Sequence, residues 1–195
     1  MKILIVYTHP NPDSFNHAIL KCVESTLSEI GHDVRTKDLY QTGFNAILDG
    51  KDLSQIMSGK VPDDIKKEQA DILWAEGLAF IYPTWWLGRP AQLKGWIDRV
   101  MTKGFAFDHN SEGMIGLLKH RRAMVITTTG GPEVLYDGTP YKDFIRMSMC
   151  EGTLGSCGIQ DVSYKAFFGV PEVSDEVRKA MLEEAKELTL QTFSI

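Results

Sequence analysis

The chain has 195 residues, 43% hydrophobic and 24% charged, a composition typical of one globular domain with a sizeable core. Its formal net charge of −5 argues against a nucleic-acid or anionic-membrane binder, because such surfaces need clustered Lys and Arg. Three cysteines without metal-ligand or redox spacing, with no signal peptide and no apolar run long enough to cross a bilayer, predict a cytoplasmic protein with no metal site.

The first predicted unit is a strand followed by a helix. Residues 3–7 form an apolar run typical of a buried strand, residues 8–16 are polar, and a helix closed by Gly31 follows. The amino end of such a helix offers unpaired N–H groups and a positive dipole end, so the loop before it is a candidate phosphate cradle. Ser14 and Asn16 could add a hydroxyl and an amide, although helix capping is the commoner role of such residues. The sequence has no Gly-rich dinucleotide fingerprint and no Walker-type motif, which argues against a Rossmann dehydrogenase or an NTPase.

The middle of the chain contains a loop with two adjacent tryptophans. A short strand is predicted at 34–37, an irregular excursion with one short helix at 41–61, and a helix that begins at Pro62. Residues 78–82 are continuously apolar and predict a strand buried on both faces, after which Trp85 and Trp86 follow. Loops at the carboxyl ends of such strands bind ligands in open α/β sheets. The tryptophans therefore indicate a flat ligand, with packing against the core as the alternative.

The second half continues the alternation. A core-facing helix follows Pro90, residues 103–116 are predicted to form an exposed lid or rim, and a strand is predicted at 123–127. Gly130 and Gly131 lie in the loop after that strand, where paired glycines let backbone N–H groups approach a ligand; a plain turn is the alternative. A helix at 141–154, a strand at 162–168 and a final helix capped by Ser174 complete the pattern.

Five strands alternating with helices predict a single α/β domain spanning 1–195, with a doubly wound parallel sheet in the order 2-1-3-4-5 and helices on both faces. The loops 8–16, 83–89 and 127–136 each follow a strand and therefore meet at one edge of the sheet. That edge includes the switch point at which FMN binds in flavodoxin-like proteins.

These motifs together resemble the flavodoxin-like NAD(P)H:quinone oxidoreductases, the group that includes mammalian DT-diaphorase and small bacterial relatives. The resemblance covers the chain from Lys2 to about Leu188. The matching stretches, in the order of the family, are His9 with Ser14-Phe15-Asn16, then 83–91, 93–100, 104–107 and 128–131.

The resemblance implies one FMN or FAD per subunit, with NAD(P)H as electron donor. The residues that match the family's flavin site are His9, Ser14, Phe15, Asn16, Pro83, Thr84, Trp85, Trp86, Leu87, Gly88, Thr128, Thr129, Gly130, Gly131 and Tyr136. Among them Trp86, as a site wall, and Gly130, Gly131 and Tyr136, near the charge of the reduced ring, are the candidate catalytic residues. Phe107 and His109 match two aromatic residues of the substrate rim, which relatives complete with a second subunit.

The function so implied is two-electron, ping-pong hydride transfer from NAD(P)H to a quinone or similar small electrophile, in a homodimer. Two alternatives stay open: a flavodoxin-type electron carrier, and a regulatory flavoprotein subunit of a potassium-efflux system, which would bind a membrane protein peripherally. The sequence also departs from the family. Lys142 stands where some members carry a histidine that acts with the tyrosine.

Overall fold

The structure is a computed structural model, and it describes residues 1–194. The strands are β1 (Lys2–Tyr7), β2 (Asp33–Asp38), β3 (Gly77–Pro83), β4 (Phe107–Asn110), β5 (Gly113–Gly116), β6 (Arg122–Thr128) and β7 (Val162–Phe167). The helices are α1 (Phe15–Glu29), α2 (Gly50–Met57), α3 (Asp63–Trp74), α4 (Ala91–Val100), α5 (Tyr141–Met149) and α6 (Asp175–Phe193), with a 3₁₀ turn at Glu133–Leu135 and a π-helical turn at Cys150–Gly155.

Five strands form one parallel sheet in the order β2-β1-β3-β6-β7. Counted in chain order, these five strands lie 2-1-3-4-5, the order that the sequence pattern predicts. The label numbers differ because an antiparallel hairpin, β4–β5, lies between the third and fourth strands of the sheet. The sequence predicted only an exposed lid or rim there. Short solvent-exposed strands carry little apolar alternation, and the hairpin was therefore not foreseen.

Apolar layers cover both faces of the sheet. Leu4 and Val6 of β1 join the cluster that contains Trp96 of α4. The alternate residues Ile3 and Ile5 join a second cluster with α1 and α6. Side chains of a strand alternate between the two faces, so continuous apolar runs such as β3, whose every residue is buried, are required when both faces are covered. The prediction of helices on both faces is confirmed.

The excursion at 41–61 is fastened to one face of α4. Arg99 donates to the Asn45 carbonyl at 2.8 Å and pairs with Asp52 of α2, and it is itself only 3% exposed. Gly95 lies one turn earlier, where a Cβ would stand 1.9 Å from the Ala46 carbonyl oxygen. The helix therefore accepts the excursion only because it has no side chain at this position. No residue of α2 itself is buried.

Helix α5 ends earlier than the sequence pattern predicts. The apolar spacing at 141–154 predicted one continuous helix, whereas the chain widens into the π-helical turn Cys150–Gly155. The apolar spacing does not distinguish an α-helix from a π-helix here, because both present a similar apolar face over a single turn. Such π turns occur frequently at functional sites.

Among residues 1–194, every helix falls short of the combination of length and apolarity that a bilayer crossing needs.

Candidate active site

The three predicted loops meet at the carboxyl edge of the sheet. They surround a cavity of about 370 Å³. Its lining residues are His9, Ser14, Phe15, Asn16, Pro83, Thr84, Trp85, Thr128, Thr129, Gly130, Val170, Pro171 and Arg178. Ten of these thirteen are residues that the family resemblance implies for a flavin site. The structure thus brings together the ends of β1, β3 and β6 with the start of α1 at one place.

The start of α1 forms one end of this cavity. Ser14 is the N-cap, and its hydroxyl accepts from the His17 N–H at 3.2 Å, so its capping role is confirmed. The first-turn N–H groups of Phe15 and Asn16 precede the first intrahelical hydrogen bond and are free to bind an anion. Burial raises the pKa of the neighbouring Tyr7 hydroxyl, which lies 3.4 Å from the Ser14 hydroxyl. Tyr7 is therefore neutral and can act only as a hydrogen-bond partner.

Asn16 provides the test of whether a polar ligand fits here. Its amide Nδ2 donates to the Thr128 hydroxyl at 2.7 Å, and its side chain is only 3% exposed. Its Oδ1 has no hydrogen-bond partner within residues 1–194. A buried acceptor without a partner costs about 1–3 kcal/mol. An acceptor of this kind beside a helix amino terminus fits a ligand that carries both an anion and hydroxyl donors, as the phosphorylated ribityl chain of a flavin does.

Trp85 and Trp86 occupy a tight turn that we call the tryptophan turn (residues 85–88). The Trp85 N–H donates to the Gly88 carbonyl at 2.9 Å, and the Gly88 N–H donates back at 3.0 Å. The two central residues, Trp86 and Leu87, have φ of 51° and 60°. Left-handed backbone costs a non-glycine residue roughly 1–2 kcal/mol. The turn is therefore strained, and contacts outside it must hold it in place.

The two tryptophans have different surroundings. Trp85 is 44% exposed, lines the cavity and lies 6.1 Å from the His9 ring, whereas Trp86 is 101% exposed. The His9 Nδ1 lies 3.0 Å from the Asn11 backbone nitrogen and 3.1 Å from the Asn11 carbonyl oxygen, so the His9 ring is held by the backbone of its own loop. The packing alternative is thus excluded for Trp86, which touches no core, while its role as a site wall remains a prediction.

Threonines fix the loop that follows β6. The Thr84 and Thr127 hydroxyls lie 2.7 Å apart, and the Thr129 hydroxyl donates to the Gly131 carbonyl at 2.8 Å. A Cβ at Gly130 would meet nothing within 4 Å, so the backbone there is open to a ligand. Paired glycines on a fixed backbone are the arrangement that the sequence predicted for this loop.

Tyr136 lies just outside the cavity. A Cβ at Gly131 would stand 3.3 Å from the Tyr136 hydroxyl, so this hydroxyl lies directly against the glycine loop. Its ring packs on Phe168 at 5.0 Å. Lys142, the residue that replaces the family histidine, forms ion pairs with Asp137 at 2.5 Å and Glu133 at 2.7 Å. The hydrogen bonds to these two carboxylates raise the pKa of Lys142. The positive charge of Lys142 thus pairs with two carboxylates of the loop that carries Tyr136.

The rim residues lie on the β4–β5 hairpin. Phe107 lines a separate cavity of about 330 Å³ together with Arg89 and Met114. The His109 ring lies 5.8 Å from that of Phe107 and is exposed. The described chain thus places neither of them in the three-loop cavity, and their role at a substrate rim stays a prediction.

Three lining residues were not found from the sequence: Val170, Pro171 and Arg178. Arg178 donates to the carbonyls of Val170 and Val173 at 3.1 and 2.6 Å, which ties the segment after β7 to the first turn of α6. Pro171, three residues before the capping Ser174 of α6, was the available signal. An arginine four residues after the capping Ser174 gives no local sign that it will face a ligand.

A larger cavity of about 560 Å³ lies at the opposite, amino-terminal edge of the sheet. It is lined by Met1, Phe105, Leu118, His120 and Arg122, among others. Strand carboxyl ends, helix amino termini and glycine loops are all absent from this lining. The chemistry of an α/β ligand site therefore lies at the smaller cavity.

Comparison with known proteins identifies the family of the chain. A family model described as flavodoxin-like fold, Flavodoxin_2, matches residues 1–189. A Haemophilus influenzae protein named as an uncharacterized NAD(P)H oxidoreductase is 35% identical over 190 residues, which is 97% of this chain and 94% of that protein. Ribosyldihydronicotinamide dehydrogenase [quinone] of Mus musculus is 34% identical over 202 residues, which covers 93% of this chain and 87% of that one.

A solved structure gives the same result. The NAD(P)H:quinone oxidoreductase from Methanothermobacter marburgensis superposes with a TM-score of 0.89 at 31% identity, and 97% of each chain is covered. The chain belongs to the Flavodoxin_2 family, and its predicted similarity to the flavodoxin-like NAD(P)H:quinone oxidoreductases is confirmed. It is an oxidoreductase.

Proposed function

We propose that the protein is a flavin-dependent NAD(P)H oxidoreductase that reduces quinones or similar small electrophiles. The observation that carries the proposal is the three-loop cavity, in which a helix amino terminus, the buried Asn16 acceptor and an open glycine backbone face one space. The helix amino terminus suits the anionic tail of a flavin, the Asn16 acceptor suits its hydroxylated chain, and the open glycine backbone suits its flat ring. The relatives named above as NAD(P)H oxidoreductase and as dehydrogenase [quinone] support the choice of donor and acceptor.

Each loop has a separate task in this proposal. The first turn of α1 and Ser14 hold the phosphate of FMN or FAD, and Asn16 holds the chain next to it. Trp85 lies against the ring, and Gly130 and Gly131 present backbone N–H groups to it. Tyr136 offers a hydroxyl beside Gly131 to negative charge that develops there, because fixed donors stabilise such charge without reorganisation. A flavin held by these residues would supply the hydride-transfer chemistry between NAD(P)H and the acceptor, which would use one site in turn.

The proposal includes a homodimer. Large apolar side chains are exposed around the tryptophan turn and the hairpin: Trp86 at 101%, Met114 at 51%, Ile115 at 39%, Phe144 at 56% and Met147 at 50%. Exposed apolar groups in one region favour an interface. A second copy would cover them and would close the site from above. Light scattering coupled to size-exclusion chromatography measures the expected dimer mass.

Steady-state kinetics of the purified protein test the proposal. With menadione as acceptor, turnover of NADH or NADPH is expected to give parallel double-reciprocal lines, and heat denaturation is expected to release FMN or FAD. Flavin bound without turnover of either nucleotide would instead favour an electron carrier or a regulatory subunit. A protein that binds no flavin would overturn the assignment of the cavity.

A further inference from the structure

Arg89 is the residue next to the tryptophan turn, and its side chain leaves the turn to contact another element. Its Nη1 donates to the Thr153 hydroxyl at 2.7 Å and to the Ser148 carbonyl at 3.0 Å. Thr153 in turn donates its hydroxyl to the same Ser148 carbonyl at 2.9 Å. The two hydrogens on Nη1 are thus both used, and the three groups close a ring of hydrogen bonds.

This ring lies where α5 widens into the π-helical turn Cys150–Gly155. The Met149 sulfur, 3.3 Å from Arg89 Nη1, adds a soft contact. None of the carboxylates within residues 1–194 forms an ion pair with Arg89. Burial lowers the pKa of its guanidinium, which nevertheless stays charged. A half-buried guanidinium without a carboxylate needs its neutral acceptors, so the position of Arg89 is strongly fixed.

The backbone of Arg89 is fixed as well. Pro90 follows it, and a residue before proline is restricted to extended conformations. Pro83 and Pro90, at the two ends of the loop, are both buried. Between these fixed ends, the strained residues Trp86 and Leu87 make no side-chain hydrogen bond of their own within the described chain. At its beginning the turn is tied to β6, because the Thr84 N–H donates to the Thr128 carbonyl at 2.7 Å. At its end the Arg89 ring ties the strained turn to α5 and the π-helical turn.

We propose that Arg89 is a positioning residue: through Ser148 and Thr153 it holds the tryptophan turn in its left-handed geometry and so fixes Trp85 beside the three-loop cavity. The consequence for catalysis rests on the proposed function. The mechanical part does not, because it concerns the protein without ligand.

Amide hydrogen exchange of the flavin-free protein tests the mechanical part directly. Within residues 1–194 the Trp85 amide donates only to the Gly88 carbonyl and the Gly88 amide only to the Trp85 carbonyl, so their exchange reports opening of the turn. Arg89→Met keeps the apolar length of the side chain and removes both donors. Loss of hydrogen bonds from a charged donor is expected to speed exchange at these two amides by about tenfold or more, while amides of β1 keep their rates.

Three further variants make the result specific. Arg89→Lys is expected to restore part of the protection. Thr153→Val, which leaves Arg89 in place, is expected to speed the exchange by about threefold. Arg146→Met is the matched control. Arg146 lies on α5, the helix that carries Ser148, but pairs with Glu151 at the surface, so its replacement is expected to leave the tryptophan turn unchanged.

The outcome is decisive in each case. Exchange at Trp85 and Gly88 that rises no more than at β1 would overturn the proposal, and so would an equal effect of Arg146→Met. If Arg89→Met does not fold, Thr153→Val alone decides by the same criterion. Titration of the same variants with FMN is expected to show weaker binding in the order of the exchange rates. A wild-type protein that binds no FMN would refute the proposed function while leaving the exchange result intact.

Discussion

Replacement of Asn16 by leucine separates ligand binding from folding. Leucine has nearly the shape of asparagine but neither donor nor acceptor. In the flavin-free protein the substitution removes the hydrogen bond from Asn16 to Thr128, worth about 0.5–1.5 kcal/mol, and the Thr128 hydroxyl loses this donor. It also removes the buried Oδ1 that has no partner in residues 1–194, which relieves a cost of about 1–3 kcal/mol. The two changes oppose each other, so the free energy of unfolding is expected to change by less than about 1 kcal/mol.

Binding responds differently, because the ligand loses its partner. A buried polar group of the ligand left without an acceptor costs about 1–3 kcal/mol, which weakens flavin affinity by roughly 5- to 150-fold. Urea unfolding of the flavin-free protein gives the stability, and quenching of flavin fluorescence during titration gives the affinity. Thr128→Val provides the partner for a double-mutant cycle, in which the two stability effects are expected not to add.

The reasoning fails if the Asn16→Leu variant binds flavin as tightly as the wild type, since Oδ1 would then have no ligand to accept from. It also fails if stability and affinity fall by the same amount. That result would mean that Asn16 serves mainly to join α1 to β6.

Gly95→Ala is expected to destabilise the protein by at least about 2 kcal/mol in urea unfolding despite better helix propensity, because the new Cβ meets the Ala46 carbonyl; unchanged stability would show that the excursion is not docked on α4. Burial raises the pKa of Asp71, but its hydrogen bond to Lys37 outweighs this and lowers the pKa below the ordinary value. The stability that Asp71 contributes is therefore present above about pH 5 and lost as the pH falls through its folded-state pKa, and the difference between wild type and Asp71→Asn is expected to shrink in acid denaturation curves. Trp86→Gly relieves left-handed strain and removes no buried surface, so the free energy of unfolding is expected to stay equal or to rise by up to about 1 kcal/mol. The rate of acceptor reduction is expected to fall. A loss of stability without a loss of rate would assign Trp86 to folding.

The fold was predictable because its strands are simple signals. Residues 3–7 of β1, 77–83 of β3 and 123–126 of β6 are apolar without interruption, as strands of a sheet covered on both faces require. The alternation with helices then leaves few topologies, and the edge where the loops meet follows from the parallel direction of the strands. Most of the cavity could be named for the same reason, since its residues stand next to strand ends.

The remaining features depend on contacts between distant parts of the chain. Nothing near Trp86 and Leu87 requires positive φ, and a sequence pattern would place a glycine there. Arg178 lies in α6, beyond the last strand, and lines the cavity together with Val170 and Pro171, the segment whose carbonyl at Val170 it binds. The π-helical turn at Cys150–Gly155 keeps the apolar spacing of an α-helix, so the sequence pattern does not predict it. The contact with Arg89, which is distant in the chain, is known only from the structure.

The contrast between the tryptophans also makes this protein its own optical reporter. Trp96 is fully buried and donates to Glu68 at 2.7 Å, so its emission is shielded from solvent quenchers. Trp86 has no such shield, and a soluble quencher such as acrylamide reaches it first. Anything that covers the tryptophan turn, whether a flat molecule or a second subunit, will therefore change the quenchable part of the emission without any added label.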